Sequence, residues 1–152
     1  RLTDARRYEE AEKEFLASLE IKEWGQTYFD MTILYTVMGQ YGKAEDAMKS
    51  GMKAWDMDTT YVHPLFLAMR GEIPAEKIFP FIEVIERRYG PVKSAEMYAQ
   101  LGEIDRAVEA LDRAYTSGAI FETSAILTSP VFDPIAQDPR FIEIKKKAIE
   151  DR

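Results

Sequence analysis

Three observations predict an all-α protein made of short helical hairpins. Apolar residues recur every three or four positions almost throughout the 152-residue chain, as they do on the inner face of a helix. No stretch sustains the period-two alternation, bounded by hairpin turns, that marks half-buried strands. Glycines that close one short helix and precede the next fall at Gly39, Gly71 and Gly102, spacings of 32 and 31 residues. Such a period is what a stack of helical hairpins needs, since each hairpin buries its apolar face on the next.

The elements follow in order. Tyr8, Ala11, Phe15 and Leu19 step by three and four, which predicts one amphipathic helix ending before Gly25. Thr27, with Asp30 three residues later, has the form of a capping box opening a second helix that runs to about Met38 and is closed by Gly39. Tyr41, Ala44, Ala47, Met48, Gly51 and Trp55 mark a third, and Asp56 to Thr60 is a linker. A short fourth helix ends at Gly71, and Pro64 sets its start late because a proline fits only the first turn. Pro74 opens a fifth carrying Ile78, Ile82, Ile85 and Tyr89, which Pro80 should kink or restart. Gly90 and Pro91 stop it and begin a sixth with Ala95, Tyr98 and Leu101. The seventh runs from about Asp105 to Thr116 with Ala107, Leu111 and Ala114 inward, and Gly118 is placed to cap it. A helix over Glu122 to Leu127 and a loop over Ser129 to Pro134 follow. Asp138 as N-cap and Pro139 at the first position then open a last helix with Phe141, Ile144 and Ala148.

Charge and composition exclude several functions. Twenty Lys and Arg against 27 Asp and Glu give a formal net charge of -7, which disfavours the phosphate attraction on which nucleic-acid binders rely. Cysteine is absent and His63 is the one histidine, so disulfides, thiolate zinc sites and multi-histidine metal sites are excluded, and no cofactor is expected. The longest uncharged apolar stretch, Tyr61 to Met69, is less than half a membrane span and contains a proline, so no membrane insertion is expected and the reading is a cytoplasmic, soluble chain. Beginning at Arg1, it reads as part of a longer protein.

The repeat resembles the tetratricopeptide (TPR) family. In YFDMTILYTVMGQYGKAEDAMKSGMKAW, the pattern's first helix matches at Tyr28, Met31 and Tyr35, and its second at Tyr41, Ala44, Met48 and Gly51. In PVKSAEMYAQLGEIDRAVEALDRAY the same steps fall on Ala95, Tyr98, Gly102, Ala107, Leu111 and Ala114, and RRYEEAEKEFLASLEI is similar to a second helix. Thr32 stands where the pattern has glycine and Asp56 where it has proline, and the unit from Met57 to Tyr89 has Glu76 and Pro80 in place of Ala and an aromatic. The resemblance implies a right-handed superhelix of antiparallel hairpins with units at about 1–24, 25–56, 57–89 and 90–118 and a capping tail over 119–152. The tail, FDPIAQDPRFIEIKKK, resembles the segment closing TPR arrays in prokaryotic multidomain signalling proteins.

Catalysis finds little footing. His63 sits beside Pro64 at a helix start with Asp56 and Asp58 near in sequence, and no glycine-framed serine nucleophile occurs. The carboxylates at Glu9, Glu10, Glu12 and Glu14 and at Asp105, Glu109 and Asp112 are spaced for solvated helical faces, and the basic pairs and runs at Arg6-Arg7, Arg87-Arg88 and Lys145 to Lys147 for helix ends or exposed faces. The helix from Tyr28 to Met38 stands out because it is apolar around most of its circumference, which requires a cover on both sides. The family register implies that Phe29, Ile33 and Val37 face a concave groove, joined by Tyr61, Leu65 and Met69 and then Val92 and Glu96. The chain lacks the Lys and Asn of chaperone-clamping TPR domains at those positions. The expected function is therefore a non-catalytic interaction or regulatory module that receives an apolar helix, a peptide or a neighbouring domain. Self-association as a homodimer, and small-ligand sensing in an enclosed apolar pocket, satisfy the same residues, as does a cover inside the fold or from a preceding helix.

Overall fold

The structure is a computed structural model that describes residues 7–21, 25–118 and 127–150, and among them every regular element is helical. The chain divides into two compact units, Arg1–Arg70 and Gly71–Arg152, so the division falls inside the 57–89 stretch.

The first unit holds α1 (Tyr8–Ile21), α2 (Gly25–Val37), α3 (Tyr41–Ala54) and α4 (Val62–Met69). The most extensive packing is between α2 and α3, joined by a three-residue turn around Gly39. Gly39 has φ 75°, its N–H bonds to the Thr36 carbonyl at 3.0 Å, and the Gln40 N–H bonds to the Tyr35 carbonyl at 2.8 Å. Those two bonds satisfy carbonyls that a helix end otherwise leaves orphaned. The start of α2 lies against the end of α3, since Gly25 faces the Trp55 indole, so the two helices run antiparallel. Small residues permit the approach: Ala44 and Ala47 are buried, and so is Gly51.

Helix α2 begins at Gly25, two residues before the expected cap, so Thr27 lies within its first turn and the Thr27–Asp30 capping box is not formed. Asp30 instead accepts from Gln26 Nε2 at 3.2 Å, one turn back. A second left-handed terminus, not anticipated, ends α3. Asp56 has φ 54°, its N–H bonds to the Lys53 carbonyl at 3.0 Å, and the Met57 N–H bonds to the Met52 carbonyl at 2.8 Å. Where the repeat pattern has proline, aspartate therefore acts as the cap, one of the few non-glycine residues that tolerate this conformation.

The second unit comprises a 3-10 turn (Ala75–Lys77), α5 (Phe79–Tyr89), α6 (Pro91–Gln100), α7 (Ile104–Thr116), a 3-10 segment (Pro130–Ile135) and α8 (Pro139–Glu150). Pro80 restarts the chain as expected: the 3-10 turn precedes it, and it occupies the first turn of α5, where its missing N–H costs nothing. The α6–α7 turn repeats the α2–α3 geometry, with Gly102 at φ 75° and the Glu103 N–H bonded to the Tyr98 carbonyl at 2.9 Å. Ala107, Ala110, Leu111 and Ala114 are fully buried along α7.

The 3-10 segment packs on α6 and α7, and α8 packs on α7. Phe132, Ile135, Phe141 and Ile144 are buried there, and the rings of Phe132 and Phe141 lie 5.9 Å apart. The expected loop over Ser129 to Pro134 is thus largely helical, because the Ser129 hydroxyl accepts from the Val131 N–H and Pro130 stands in the first turn. Asp138 caps α8 as expected, its Oδ1 accepting from the Arg140 N–H at 2.9 Å. The helix expected over Glu122 to Leu127 lies outside the described residues except for Leu127, which is buried.

Candidate functional site

The site begins with how α2 distributes its surface. Met31, Leu34 and Tyr35 fall within about 100° of one another around the helix and are buried. Phe29, Ile33 and Val37 recur every four residues on the other side, and all three are half-buried. One flank of that row is sealed chemically. Thr32 Oγ1 donates to the Tyr28 carbonyl at 2.9 Å and Thr36 Oγ1 to the Thr32 carbonyl at 2.7 Å, so both hydroxyls are used within the helix. Gln26 and Asp30, bonded to each other, provide a polar edge on the other flank.

Phe29 extends the row onto α3. Its ring centroid lies 4.8 Å from that of Trp55, tilted by 41°, and Trp55 remains 42% exposed. This aromatic pair is within the range that adds about 0.5–1.5 kcal/mol to simple area burial. The sequence marks Trp55 only as part of the third helix, because helical periodicity does not reveal a ring at a helix terminus that folds back over the preceding helix. The edge of Phe29 also comes within 3.4 Å of the position a β-carbon on Gly51 would take.

The other residues expected in the groove separate. Tyr61, just before α4, is 47% exposed, and Met69 at its last residue is half-buried. Leu65 is 1% exposed, which corrects its placement: it belongs to the buried interior with Val62 and Phe66 and presents no surface to a partner. The repeat register put α4 on the groove by analogy with α2, but α4 buries four of its eight residues. Val92 and Glu96 belong to the second unit, on α6, where both are half-buried and Glu96 pairs with Lys93 at 3.6 Å.

The polar groups behave as structural ties. Tyr35 is buried and hydrogen-bonded to Glu12 of α1; burial first, and that bond second, push its hydroxyl up to about 12. Lys43 of α3 lies 5.4 Å over the Tyr35 ring and 4.0 Å from Glu12, so one cluster joins α1, α2 and α3. His63 Nδ1 is 2.9 Å from Glu45 Oε1, and Lys49 donates to the same carboxylate at 3.0 Å. Burial alone would raise the Glu45 carboxyl, but the bonds from His63 and Lys49 outweigh it and hold it below the ordinary value. The lone histidine thus ties α4 to α3.

In the second unit, Arg113 donates to both oxygens of Glu86, at 3.0 and 2.7 Å, and the buried Ser94 hydroxyl donates to Glu86 at 2.6 Å. The Arg113 hydrogen bonds lower the Glu86 carboxyl, overcoming its partial burial. Arg106 lies 4.1 Å over the Phe79 ring, and Phe79 meets Tyr98 edge-on at 5.6 Å. Arg140 bridges Asp105 and Asp138, so one member of the α7 acidic group is ion-paired.

Among the described residues no group of three or more His, Cys, Asp or Glu is placed to hold a metal ion, and no helix is long and apolar enough to cross a membrane. No protein-family model matches the chain, and neither a characterised protein nor a solved structure matches it.

Proposed function

We propose that the chain is a TPR-like, non-catalytic interaction module, with its hairpins arranged as in that family's right-handed superhelix, and that α2 receives an apolar partner helix or peptide. The observation that carries this reading is the row Phe29, Ile33, Val37 with Trp55 beside it: three apolar side chains that stay partly open on a helix whose opposite face is already buried, and a fourth from the end of α3. Half-open aromatic and aliphatic anchors of this kind are what central contacts of helix-in-groove complexes are made of. Phe29 and Val37 are eight residues apart, about 12 Å along the helix, which accommodates two turns of a partner. The closely packed α2–α3 hairpin that supports the row also fits the family pattern, with Ala44 and Gly51 at its small-residue positions.

Selection of helical peptides from a display library against the intact chain tests the reading. Enriched sequences should carry apolar residues at i, i+3, i+4 and i+7, and should be lost when the selection is repeated on Ile33→Asp. Enrichment that is indifferent to Ile33→Asp and Phe29→Ala would place the binding surface elsewhere.

A further inference from the structure

Two exposed helix faces outside the α2 site have complementary chemistry. Ile142 and Ile149 on α8 are 51% and 55% exposed, one heptad apart. Lys145 and Lys146 lie between them, giving the i, i+3, i+4, i+7 spacing of a single stripe. The buried side of α8 is satisfied by Phe141, Ile144 and Ala148, so this stripe is surplus to the unit's own core. A helix that merely closes a helical stack needs a polar outer face, and two exposed isoleucines in register do not provide one. Overall α8 carries Arg140 and three lysines against Glu143 and Glu150.

Helix α1 presents the opposite pattern. Glu9, Lys13, Leu16 and Glu20 follow one another at intervals of four, three and four on its exposed side, with Leu16 48% exposed in the middle. Its buried residue is Ala11, on the other side of the helix. Five glutamates face a single lysine along α1, so this helix is strongly acidic where α8 is basic.

We propose that these faces mate between copies: α8 of one chain docks on α1 of a second chain. Leu16 seats between Ile142 and Ile149, and Lys145 and Lys146 face Glu9 and Glu20. The charge match argues for a second copy as the occupant, because a chain of net charge -7 repels itself except where a basic strip meets its acidic helix. As the two faces differ, the contact is heterologous, and every copy added still presents one face of each kind.

Charge exchange tests it on the intact chain. At low salt, sedimentation equilibrium of the parent should show a mass that rises with concentration beyond a dimer. Lys145→Glu with Lys146→Glu, and separately Glu9→Lys with Glu20→Lys, should each raise the dissociation constant about tenfold or more. Glu9, Glu20 and Lys146 are exposed and Lys145 is half-buried, and circular dichroism verifies that both variants fold. Mixing the two should restore association, since the unchanged α8 of one variant meets the unchanged α1 of the other, and the two reversed faces complement each other as well. A parent that stays monomeric, a reversal that leaves the mass unchanged, or a mixture that fails to associate overturns the proposal. A monomer that binds anionic vesicles through Lys145 and Lys146 also overturns it, and assigns the strip to a membrane surface.

Discussion

Gly51 of α3 passes so close to Tyr28 of α2 that a β-carbon added to it would stand 3.0 Å from the Tyr28 β-carbon and 3.3 Å from the Gly25 carbonyl oxygen. Neither atom can swing aside, because one is fixed to the backbone and the other belongs to it. Gly42, in the first turn of the same helix, has nothing within 4 Å of the corresponding point. Alanine improves helix propensity at both positions by about 1 kcal/mol. The gain should therefore appear in full for Gly42→Ala and be cancelled or reversed for Gly51→Ala, while Gly51→Leu should cost about 1 to 3 kcal/mol by overpacking. Urea denaturation midpoints of the three variants decide this, and equal stabilisation by both alanines would refute the close approach.

How much of this was legible follows from which signals are local. Gly39, Gly71, Gly90, Gly102 and Gly118 all have positive φ, as their positions after periodic segments predict. Pro80 and Pro139 sit in first turns for an equally local reason. The small residues Ala44, Ala107 and Ala114 are fully buried, as the spacing of the hairpins requires. What escaped depends on partners distant in sequence or on competing caps. Thr27 and Asp30 form a capping motif on paper, yet tertiary packing extends α2 to Gly25. The Phe29–Trp55 stack, the Glu86–Arg113 pair and the His63–Glu45 tie join residues 26, 27 and 18 positions apart, beyond the reach of any helical period. Leu65 has the composition of a groove residue, but its burial was fixed by packing of α4 that no spacing rule encodes.

Asp56 gives a prediction of the opposite sign. Its φ of 54° strains a side chain that has a β-carbon, whereas glycine takes this conformation freely. Asp56→Gly should raise stability by about 0.5 to 1 kcal/mol, measured as a higher thermal midpoint. A lowered midpoint would mean that the carboxylate contributes more than the backbone strain costs.

The Glu86 cluster makes stability depend on acid. Its carboxyl is held below the ordinary value of 4.5 by Arg113, so the stabilisation is present above that value and is lost as pH falls through the lower value of the folded state. Arg113 is about half exposed, so the contribution is discounted to about 1 kcal/mol. Glu86→Gln should be less stable than the parent at neutral pH and converge with it at a pH acid enough to pass below the lowered value of the folded state, where the parent's carboxyl is also uncharged. A difference that persists unchanged to that pH would contradict the ion-pair explanation.

The tail should be indispensable to the second unit. Deleting residues 129–152 removes Phe132, Ile135, Phe141 and Ile144 from the faces of α6 and α7 that they bury. The truncated chain should aggregate or unfold at much lower denaturant. The milder Phe132→Ala should cost about 3 to 5 kcal/mol. A truncated chain that stays monomeric and equally stable would show the tail to be a linker.

The most direct test of the interaction reading is the affinity of Ile33→Asp, relative to the parent, for a display-selected amphipathic helix, titrated by calorimetry at two salt concentrations. Ile33 lies between Phe29 and Val37, and a buried carboxylate there should weaken binding by at least about 1 to 2 kcal/mol, or roughly five- to thirtyfold. Binding by the parent should change little with salt, because the anchors are uncharged. An Ile33→Asp variant that keeps its helical circular dichroism and binds as tightly as the parent, or parental affinity that collapses as salt rises, would contradict it.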